Sequence, residues 1–357
     1  MAIFELISQI YVPTFAIKVG GAPLDDRVAR SVLEVSVTEH LGSPSQFSFR
    51  LNDPGLRFIE KGGGVFTEGT KVEIGVGYVG KTKTLLVGEV AAVAADFPAS
   101  GPPTLSVEGF DLLHRLTRGT TYRSFGGPGP QDGFSHGQIV SRVAGEVGLG
   151  ASVDPALTRS EPVVQYYRSN LDFLAQLAEA DGCFLWIEGE TLQFRTKPRE
   201  FDTVSLEWGK TLVSFSPRLT TAGQVKAVVV RSWDPGQKSM ISHRAPASSV
   251  PDQLLAPAGV DQVGRGAGGK SELVIEDPRV LDDSAARALA ERIYFDKRKA
   301  LLSGNGSAAG NPDIRPGTVL NLQGLGKRFS GAYVVEQATH TVGGSGYQTS
   351  FEARWKG

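Results

Sequence analysis

The sequence predicts a mainly β protein with a smaller α+β part in its middle. Two observations carry this prediction. The chain has 44 glycines among 357 residues, which is well above the usual share of about 7%, and many of its short segments alternate apolar with polar residues. Between two such regions lies one unit with helical spacing followed by a hairpin, residues 165–198. The length predicts roughly two to three domains.

The first β region is predicted as a domain over residues 1–120. Alternation of apolar and polar residues indicates an antiparallel sheet with one apolar face. The apolar positions are Leu33, Val35, Val37, Phe47, Phe49, Leu51, Val72, Ile74, Val76, Leu105 and Val107. The spacing of strands and turns is typical of a small barrel or sandwich. Phe110, Leu112, Leu113 and Leu116 predict a short helix that closes this domain.

The second predicted domain, residues 121–200, is a small α+β domain. It opens with a linker rich in glycine and proline, residues 124–134, in which neither helix nor strand can continue. A helix is expected from about Ser135, and its apolar face ends near Gly148.

The centre of this domain is the helix and hairpin of residues 165–198. Ser169 is a suitable N-cap, and Gly182 is a suitable stop because a glycine adopts the left-handed conformation without cost. The following Cys183–Ile187 reads as a buried strand that returns through Thr191–Phe194 as a hairpin. We therefore expect this segment to be largely buried and inert, with Cys183 as a strand residue and not a nucleophile.

The third predicted domain, residues 201–357, returns to β structure. A helix is expected at about residues 282–302, with Asp282 or Asp283 as its N-cap. Residues 245–270 and 304–317 read as loops rich in small residues and proline. The predicted strands lie at residues 225–229, 273–275, 333–342 and 347–355.

The two β regions share a short pattern. Gly69–Ile74 and Gly317–Leu322 both read Gly-Thr-x-apolar-x-apolar, and each leads to a strand entered through a glycine, Gly88 or Gly331. Such a repeat predicts either an internal duplication or a chance match between two β regions.

Composition excludes several function classes. The net charge is −1, so no overall basic field would attract nucleic acid or an anionic membrane. The single cysteine allows no internal disulfide, which fits folding in a bacterial cytoplasm. The sequence shows neither a signal peptide nor an apolar run of the roughly 20 residues needed to span a bilayer.

One segment matches a nucleotide-binding pattern by its letters. Gly264, Gly269, Lys270 and Ser271 fit the Walker A pattern. That loop must leave a strand and enter a helix to present its N–H groups to phosphates. Here the segment that follows, Glu272–Glu276, reads as a strand. We interpret the match as a chance one in a surface loop and predict no cofactor.

No pattern indicates catalysis or metal binding. The histidines are scattered, and no pair of them has the i,i+4 spacing of a metal site or a close sheet spacing with carboxylates; they are His40, His114, His136, His243 and His340. His340 reads as an ordinary sheet residue. A Ser-His-Asp arrangement stays open, because its members need not be near in sequence. We predict no catalytic, cofactor-binding or metal residues, while interface residues stay unassigned.

The order of three segments resembles the phage late control gene D family, the baseplate hub proteins related to VgrG. The first is the helix and hairpin, Tyr167–Glu188. The second joins Arg315–Leu322 to Phe329–Val335. The third is His340–Val342 with the closing Tyr347–Arg354. Together they extend over most of the chain.

This resemblance implies two tube-like antiparallel β-barrel domains joined by the small α+β domain. It also implies a homotrimer whose six tube-like domains match a sixfold inner tube on one side and a threefold spike on the other. The implied partners are the inner tube protein, the spike protein and other baseplate components. The chain ends at Gly357 without the OB-fold and needle of VgrG, so we expect either a separate spike, which we favour, or a shortened sequence.

The sequence therefore predicts a structural hub of a contractile injection machine, without enzyme activity. The particle could be a phage tail, a tailocin, an extracellular injection system or a secretion system. Two alternatives are a tail-associated enzyme that degrades cell walls and a β module that binds a receptor or glycan.

Overall fold

The structure is a computed structural model of the chain. It describes residues 12–60, 65–126, 134–155, 157, 162–196, 203–220, 223–234, 236–245, 272–277, 280 and 282–356. Strands make up 52% of these described residues and helices 20%, so the prediction of a mainly β protein with an α+β part is confirmed. None of the described helices has the length and apolar character needed to cross a bilayer.

The chain divides into two compact units. Unit 1 consists of Met1–Asp202, Ala308–Thr318 and Glu336–Phe351, and unit 2 of Thr203–Ser307, Val319–Val335 and Glu352–Gly357. Segments distant in sequence therefore belong to one unit.

The elements of unit 1 are short strands, short helices and one 3-10 helix, Leu112–Thr117. The helices are α1 (Asp26–Ser31), α2 (Arg57–Glu60), α3 (His136–Glu146) and α4 (Asn170–Asp181). The strands are β1 (Pro13–Val19), β2 (Ala22–Pro23), β3 (Val32–His40), β4 (Gln46–Asn52), β5 (Lys71–Tyr78), β6 (Lys81–Asp96), β7 (Thr104–Asp111), β8 (Thr121–Phe125), β9 (Gly150–Val153), β10 (Val163–Arg168), β11 (Phe184–Glu188) and β12 (Thr191–Arg195).

Unit 2 contains most of the remaining elements. Its strands are β13 (Val204–Glu207), β14 (Leu212–Leu219), β15 (Ala227–Asp234), β16 (Ser239–Ala245), β17 (Glu272–Glu276) and β19 (Val319–Gln323), and its helices are α5 (Asp283–Lys299) and α6 (Gly326–Phe329). Three strands carry residues of both units: β18 (Leu302–Ala309), β20 (Gly331–Gly343) and β21 (Gly346–Trp355).

The main sheet of unit 1 is antiparallel, with the order β20–β3–β4–β7–β6–β5–β1–β2. Its predicted apolar face is buried, as the exposures of Val35, Phe49 and Ile74 at 0–1% show. Leu33 is an exception at 42% exposure. The pairing shifts between Val32 and Glu34, and such a bulge redirects the extra side chain. The order of the described strands ends at β2, and no closed barrel of the kind that the resemblance implies is detected among them.

The α+β part of unit 1 has its own apolar core, to which α3, α4, β11 and β12 contribute. Ser169 caps α4 by accepting a hydrogen bond from the Asp172 N–H at 3.0 Å, and Gly182 ends the helix at φ 66°. Both predicted boundaries are confirmed. β9 lies parallel to β12, a pairing that the hairpin pattern did not predict.

In unit 2, β15 lies between antiparallel β16 and parallel β17. The helix α5 packs on this sheet through Ala286, Ala290 and Tyr294. Asp282 is its N-cap, accepting from the Ala285 N–H at 2.7 Å.

The expectation of a loop over residues 304–317 is wrong for its first part, which is strand β18. Gly304 is needed there because an added Cβ would lie 2.5 Å from the Phe215 ring. A glycine inside a strand can mark such a close approach and not a break.

The repeated Gly-Thr pattern forms the same turn twice. The Thr70 N–H donates to the Thr67 carbonyl at 3.0 Å, and the Thr318 N–H donates to the Arg315 carbonyl at 2.9 Å. The third residue of each turn, Gly69 or Gly317, has φ of 80° or 97°, as a type II turn requires.

The following hairpins differ in register. Val72 faces Gly88, whereas its counterpart in the repeat, Leu320, faces Tyr333. Turn and strand therefore match in the two copies, but Gly88 and Gly331 do not occupy equivalent positions.

Candidate functional site: a polar cleft in unit 1

A cleft of about 260 Å³ lies in unit 1. It is bounded by the end of β3 and the loop after it, by part of β6, by the start of the 3-10 helix, by the β11–β12 turn and by the segment at Arg315. Its polar lining includes Glu39, Ser45, Asp111, Trp186, Glu188 and Arg315. This cleft combines several buried polar groups and is the candidate site of the chain.

One wall of the cleft is a buried ion pair. The Arg315 Nε donates to Glu39 Oε1 at 2.9 Å and to Oε2 at 3.1 Å, and its Nη2 also donates to Glu39. The same Nη2 donates to the Leu85 carbonyl at 2.8 Å. The two side chains are each 7% exposed. A bidentate pair of this kind fixes the segment at Arg315 against β3 and β6.

Next to this pair, His340 is fully buried and fully hydrogen-bonded. Its Nε2 lies 3.1 Å from the Ile314 carbonyl, and its Nδ1 lies 2.8 Å from the Tyr347 hydroxyl. This arrangement requires the Nε2–H tautomer, with Nδ1 as acceptor. Burial lowers the pKa of His340 to about 4, with Arg315 acting in the same direction. His340 is therefore a neutral sheet residue near pH 7, in agreement with its sequence interpretation.

Asp111 is the second buried carboxylate of the cleft, at 4% exposure. It accepts from the Ser45 N–H at 2.9 Å and, as N-cap of the 3-10 helix, from the Leu113 N–H at 3.0 Å. Burial raises its pKa to about 6, against the lowering effect of these bonds. No ion pair of Asp111 exists among the described residues.

Trp186 contributes a buried donor. The side chain is 7% exposed, and its indole N–H has no hydrogen-bond partner in the part of the chain that the structure describes. On β11, Leu185 belongs to the apolar core, whereas Trp186 does not. Because successive strand residues point to opposite faces, the indole is directed away from that core and lines the cleft.

The predicted candidate residues lie elsewhere. The Walker A-like residues Gly264, Gly269, Lys270 and Ser271 are outside the described residues, although the segment after them is the strand β17 and not the helix a phosphate loop needs. Cys183 is half-buried, and burial raises the pKa of its thiol to about 12.

A second buried pair lies in the α+β part of unit 1. His136 Nδ1 lies 2.8 Å from Asp181 Oδ2, and the side chains are 1% and 4% exposed. This pair ties the start of α3 to the end of α4. Within the described residues, no group of three or more His, Cys, Asp or Glu side chains has the geometry of a metal site.

Sequence reasoning missed the cleft because its members are dispersed. Glu39 and Arg315 are 276 positions apart, so no spacing rule connects them. The one available signal was the Gly317 turn pattern, since that turn positions Arg315.

Comparison with solved structures identifies the fold. The chain is similar to the 43 kDa tail protein of prophage MuSo2 from Shewanella oneidensis, with a TM-score of 0.71, 14% identity, and coverage of 96% of this chain and 98% of the other. It is also similar to a tail protein from Neisseria meningitidis, with a TM-score of 0.70, 12% identity, and coverage of 97% and 98%.

A third similar structure is an Escherichia coli component of the type VI secretion system, which itself exhibits structural similarity to the bacteriophage T4 tail proteins gp27 and gp5. Here the TM-score is 0.58 and the identity 12%, with coverage of 94% of this chain and 76% of the other. The fold is thus one shared by phage tail proteins and a secretion-system component. No curated protein sequence matches the chain.

The family follows from the sequence itself. The family model of the Alg8 N-terminal domain matches residues 9–344. The chain therefore belongs to the Alg8 N-terminal domain family.

Proposed function

We propose that this chain is the structural hub of a contractile injection machine, a trimeric adaptor between a sixfold inner tube and a threefold spike. The observation that carries the proposal is the similarity to two tail proteins, one of them from a prophage, over 96–97% of this chain and 98% of each of theirs. A similarity that extends from end to end supports a shared architectural role more strongly than one confined to a domain.

The repeated turn and strand support the trimer. One chain that carries two copies of a β unit supplies six copies as a trimer, which is the number a sixfold tube needs. In the proposed division, residues 1–120 and 201–357 are the tube-like domains and residues 121–200 are the α+β domain that joins them.

One strand edge in unit 1, which has no partner strand among the described residues, supports assembly with other chains. Up to Glu89, β6 pairs with β5, but residues 91–96 pair only with β7 among the described residues. This edge carries mainly alanines, and the adjoining Phe97 is 61% exposed. Such an apolar edge requires covering by another chain or element.

The same proposal assigns no catalytic role to the chain. The buried carboxylates of the cleft, Glu39 and Asp111, hold an arginine and two backbone N–H groups respectively. These bonds support a role in fixing the backbone. The assembled particle would be a phage tail, a tailocin or another injection particle.

Native mass spectrometry and negative-stain imaging test the hub. We expect a trimer that binds the inner tube and spike proteins encoded with it. Ala94→Lys places a charge on the exposed edge of β6 and should weaken the trimer, whereas Ala180→Lys on the exposed face of α4 should not. A stable monomer that binds neither tube nor spike protein would contradict the proposal.

A further inference from the structure

We propose that three tyrosines on the surface of unit 1 form a binding site for a neutral oligosaccharide. This tyrosine platform consists of Tyr122 on β8 and of Tyr166 and Tyr167 on β10. Glycan binding would be a function additional to the hub role, and it depends neither on the trimer nor on the inner tube. Four features of the platform support it: its backbone, the arrangement of its rings, its charge and its area.

A β-bulge brings the three side chains to one face of the strand pair. The pairing of β8 with β10 shifts between Gln165 and Arg168, so Tyr166 and Tyr167 together stand opposite the single residue Tyr122. Regular alternation would direct Tyr167 to the same face as Gln165, which is 0% exposed. The bulge turns it outward instead, and the three tyrosines are each 62–66% exposed.

The outward position of Tyr167 has a conformational cost. Its φ is 44°, in the left-handed region, which costs a residue with a Cβ roughly 1–2 kcal/mol. Glycine or asparagine would adopt this conformation more readily. A large aromatic ring held in a strained conformation at the surface indicates that the ring itself is needed there, because such strain is typical of functional sites.

The rings form a compact platform without a slot between them. Tyr122 and Tyr167 are stacked, with centroids 5.5 Å apart and an interplanar angle of 29°. Tyr166 lies nearly perpendicular to both rings, at 79° and 80°. A ring inserted between two others needs about 7 Å, which is twice the carbon–carbon contact distance. A proline side chain therefore does not fit between these rings, and a ligand has to stack on their outward surface.

The platform is neutral. β8 and β10 contain two charged side chains, and both are bonded to helices: Arg123 donates to Glu146 at 2.6 Å, and Arg168 donates to Gln176 at 2.9 Å. The tyrosines add rings and hydroxyls but no charge near neutral pH. A ligand that depends on ion pairs, such as a nucleic acid or a charged peptide, is therefore not favoured.

The area of the platform restricts the size of the ligand. Three tyrosines at this exposure present on the order of 400 Å², about half of the 800 Å² that each partner of a stable protein complex buries. Exposed apolar patches of this extent are often functional. A small or linear ligand therefore fits the platform better than a folded protein surface does.

A β-1,4-linked chain of glucose or N-acetylglucosamine has the required chemistry. The substituents of each sugar ring are equatorial, so its axial C–H bonds form two flat apolar faces. These faces stack on the negative face of an aromatic ring. The tyrosine hydroxyls can donate hydrogen bonds to the sugar hydroxyls and accept from them. The platform is therefore a stacking site for such a chain.

Isothermal titration calorimetry of the full chain tests the site. The probes are cellohexaose and chitohexaose, which are both neutral, and saturable binding of either is the expected result. A capped decaproline peptide and a thymidine hexanucleotide represent the two other ligand classes that aromatic surfaces bind. Binding of neither oligosaccharide, or tighter binding of the peptide or the nucleotide, would overturn the inference. Native mass spectrometry of the same sample reports the trimer separately.

Three variants assign the binding to the platform. Tyr167→Asn removes one ring and suits the left-handed backbone, so the chain should keep its fold while oligosaccharide affinity falls at least tenfold. Tyr122→Ser should weaken binding as strongly. Trp233→Gln removes an aromatic side chain that is 57% exposed in unit 2 and, as the matched control, should bind like the wild type. If the tyrosines only stabilised the strand pair, both tyrosine variants would unfold at lower temperature with unchanged affinity, and that result would also overturn the inference.

Discussion

Arg315 and Glu39 form a buried bidentate ion pair across 276 positions of sequence. The guanidinium also caps the Leu85 carbonyl at 2.8 Å, so a single side chain connects three segments of unit 1. Because Arg315 begins the turn that Gly317 completes, the ion pair and the Gly-Thr repeat share one piece of backbone. The repeat thus positions an arginine in one copy only, since Thr67 occupies the corresponding place in the other.

Removing one partner of this pair should destabilise the chain strongly. Arg315→Met leaves the Glu39 carboxylate buried without its cation, and such changes cost roughly 3–5 kcal/mol. Urea denaturation measures the loss. Lys210→Met is the matched control, because that lysine pairs with Glu207 at 70% and 43% exposure and such surface pairs contribute about 0–1 kcal/mol. The double variant Arg315→Met with Glu39→Leu should recover much of the lost stability, because it no longer buries an unpaired charge. A double variant no more stable than Arg315→Met would show that the buried Glu39 charge does not cause the destabilisation.

Asp111 and His340 should contribute to the pH dependence of stability with opposite signs. Burial raises the pKa of Asp111 from 3.8 to about 6, so the folded state binds the extra proton and stability falls as pH rises through that window. Burial lowers the pKa of His340 from 6.5 to about 4. There the unfolded state binds the extra proton, and stability rises with pH. Between pH 4 and 6 the two effects oppose each other in the wild type.

Single variants separate the two effects. The free energy of unfolding of Asp111→Asn, minus that of the wild type, should increase by roughly 2 kcal/mol between pH 4 and 6.5. The same difference for His340→Gln should decrease by roughly 3 kcal/mol over this window. Urea titrations at intervals of half a pH unit provide both curves. Differences that do not change with pH would contradict the assignment.

Sequence signals predicted those helix ends and turns whose determinants lie within a few residues of them. Ser169 and Gly182 specify the ends of α4 through a cap bond to Asp172 and a left-handed φ of 66°. Both determinants lie within a few residues of the boundary they set. The type II turns at Gly69 and Gly317 belong to the same class, because the glycine itself supplies the required φ.

Parts that depend on distant partners were not predictable in this way. Gly304 suggested a break, and only the position of the Phe215 ring explains why a strand carries glycine there. Leu33 suggested an inward side chain, but a bulge in the pairing with β4 turns it outward. The cleft itself requires Arg315, Asp111 and Trp186 to meet, and no pattern in the chain relates their positions.

Replacement of Gly182 or Gly145 by alanine should change the free energy of unfolding in opposite directions. Gly182 has φ 66°, so Gly182→Ala should cost roughly 1 kcal/mol for the left-handed conformation. Gly145 lies within α3, and a Cβ added there meets no atom within 4 Å. Gly145→Ala should therefore stabilise by about 0.5–1 kcal/mol. Thermal unfolding of both variants checks this, and two changes of the same sign would show that backbone conformation does not decide the outcome.

The thiol of Cys183 should be slow to react until the α+β part of unit 1 unfolds. Burial raises its pKa from 9.0 to about 12, which lowers the thiolate fraction near neutral pH by about 10³. A more basic thiolate is also a better nucleophile, so the reaction rate should fall by less, on the order of 50-fold. Cys183 is the single cysteine of the chain, so the absorbance of an aromatic disulfide reagent reports it alone. We expect slow modification in buffer and ordinary kinetics in urea. Ala180→Cys in a Cys183→Ala background places an exposed thiol on α4 and should react at the ordinary rate without urea, whereas equal rates for the two thiols in buffer would show that Cys183 is accessible and ionised.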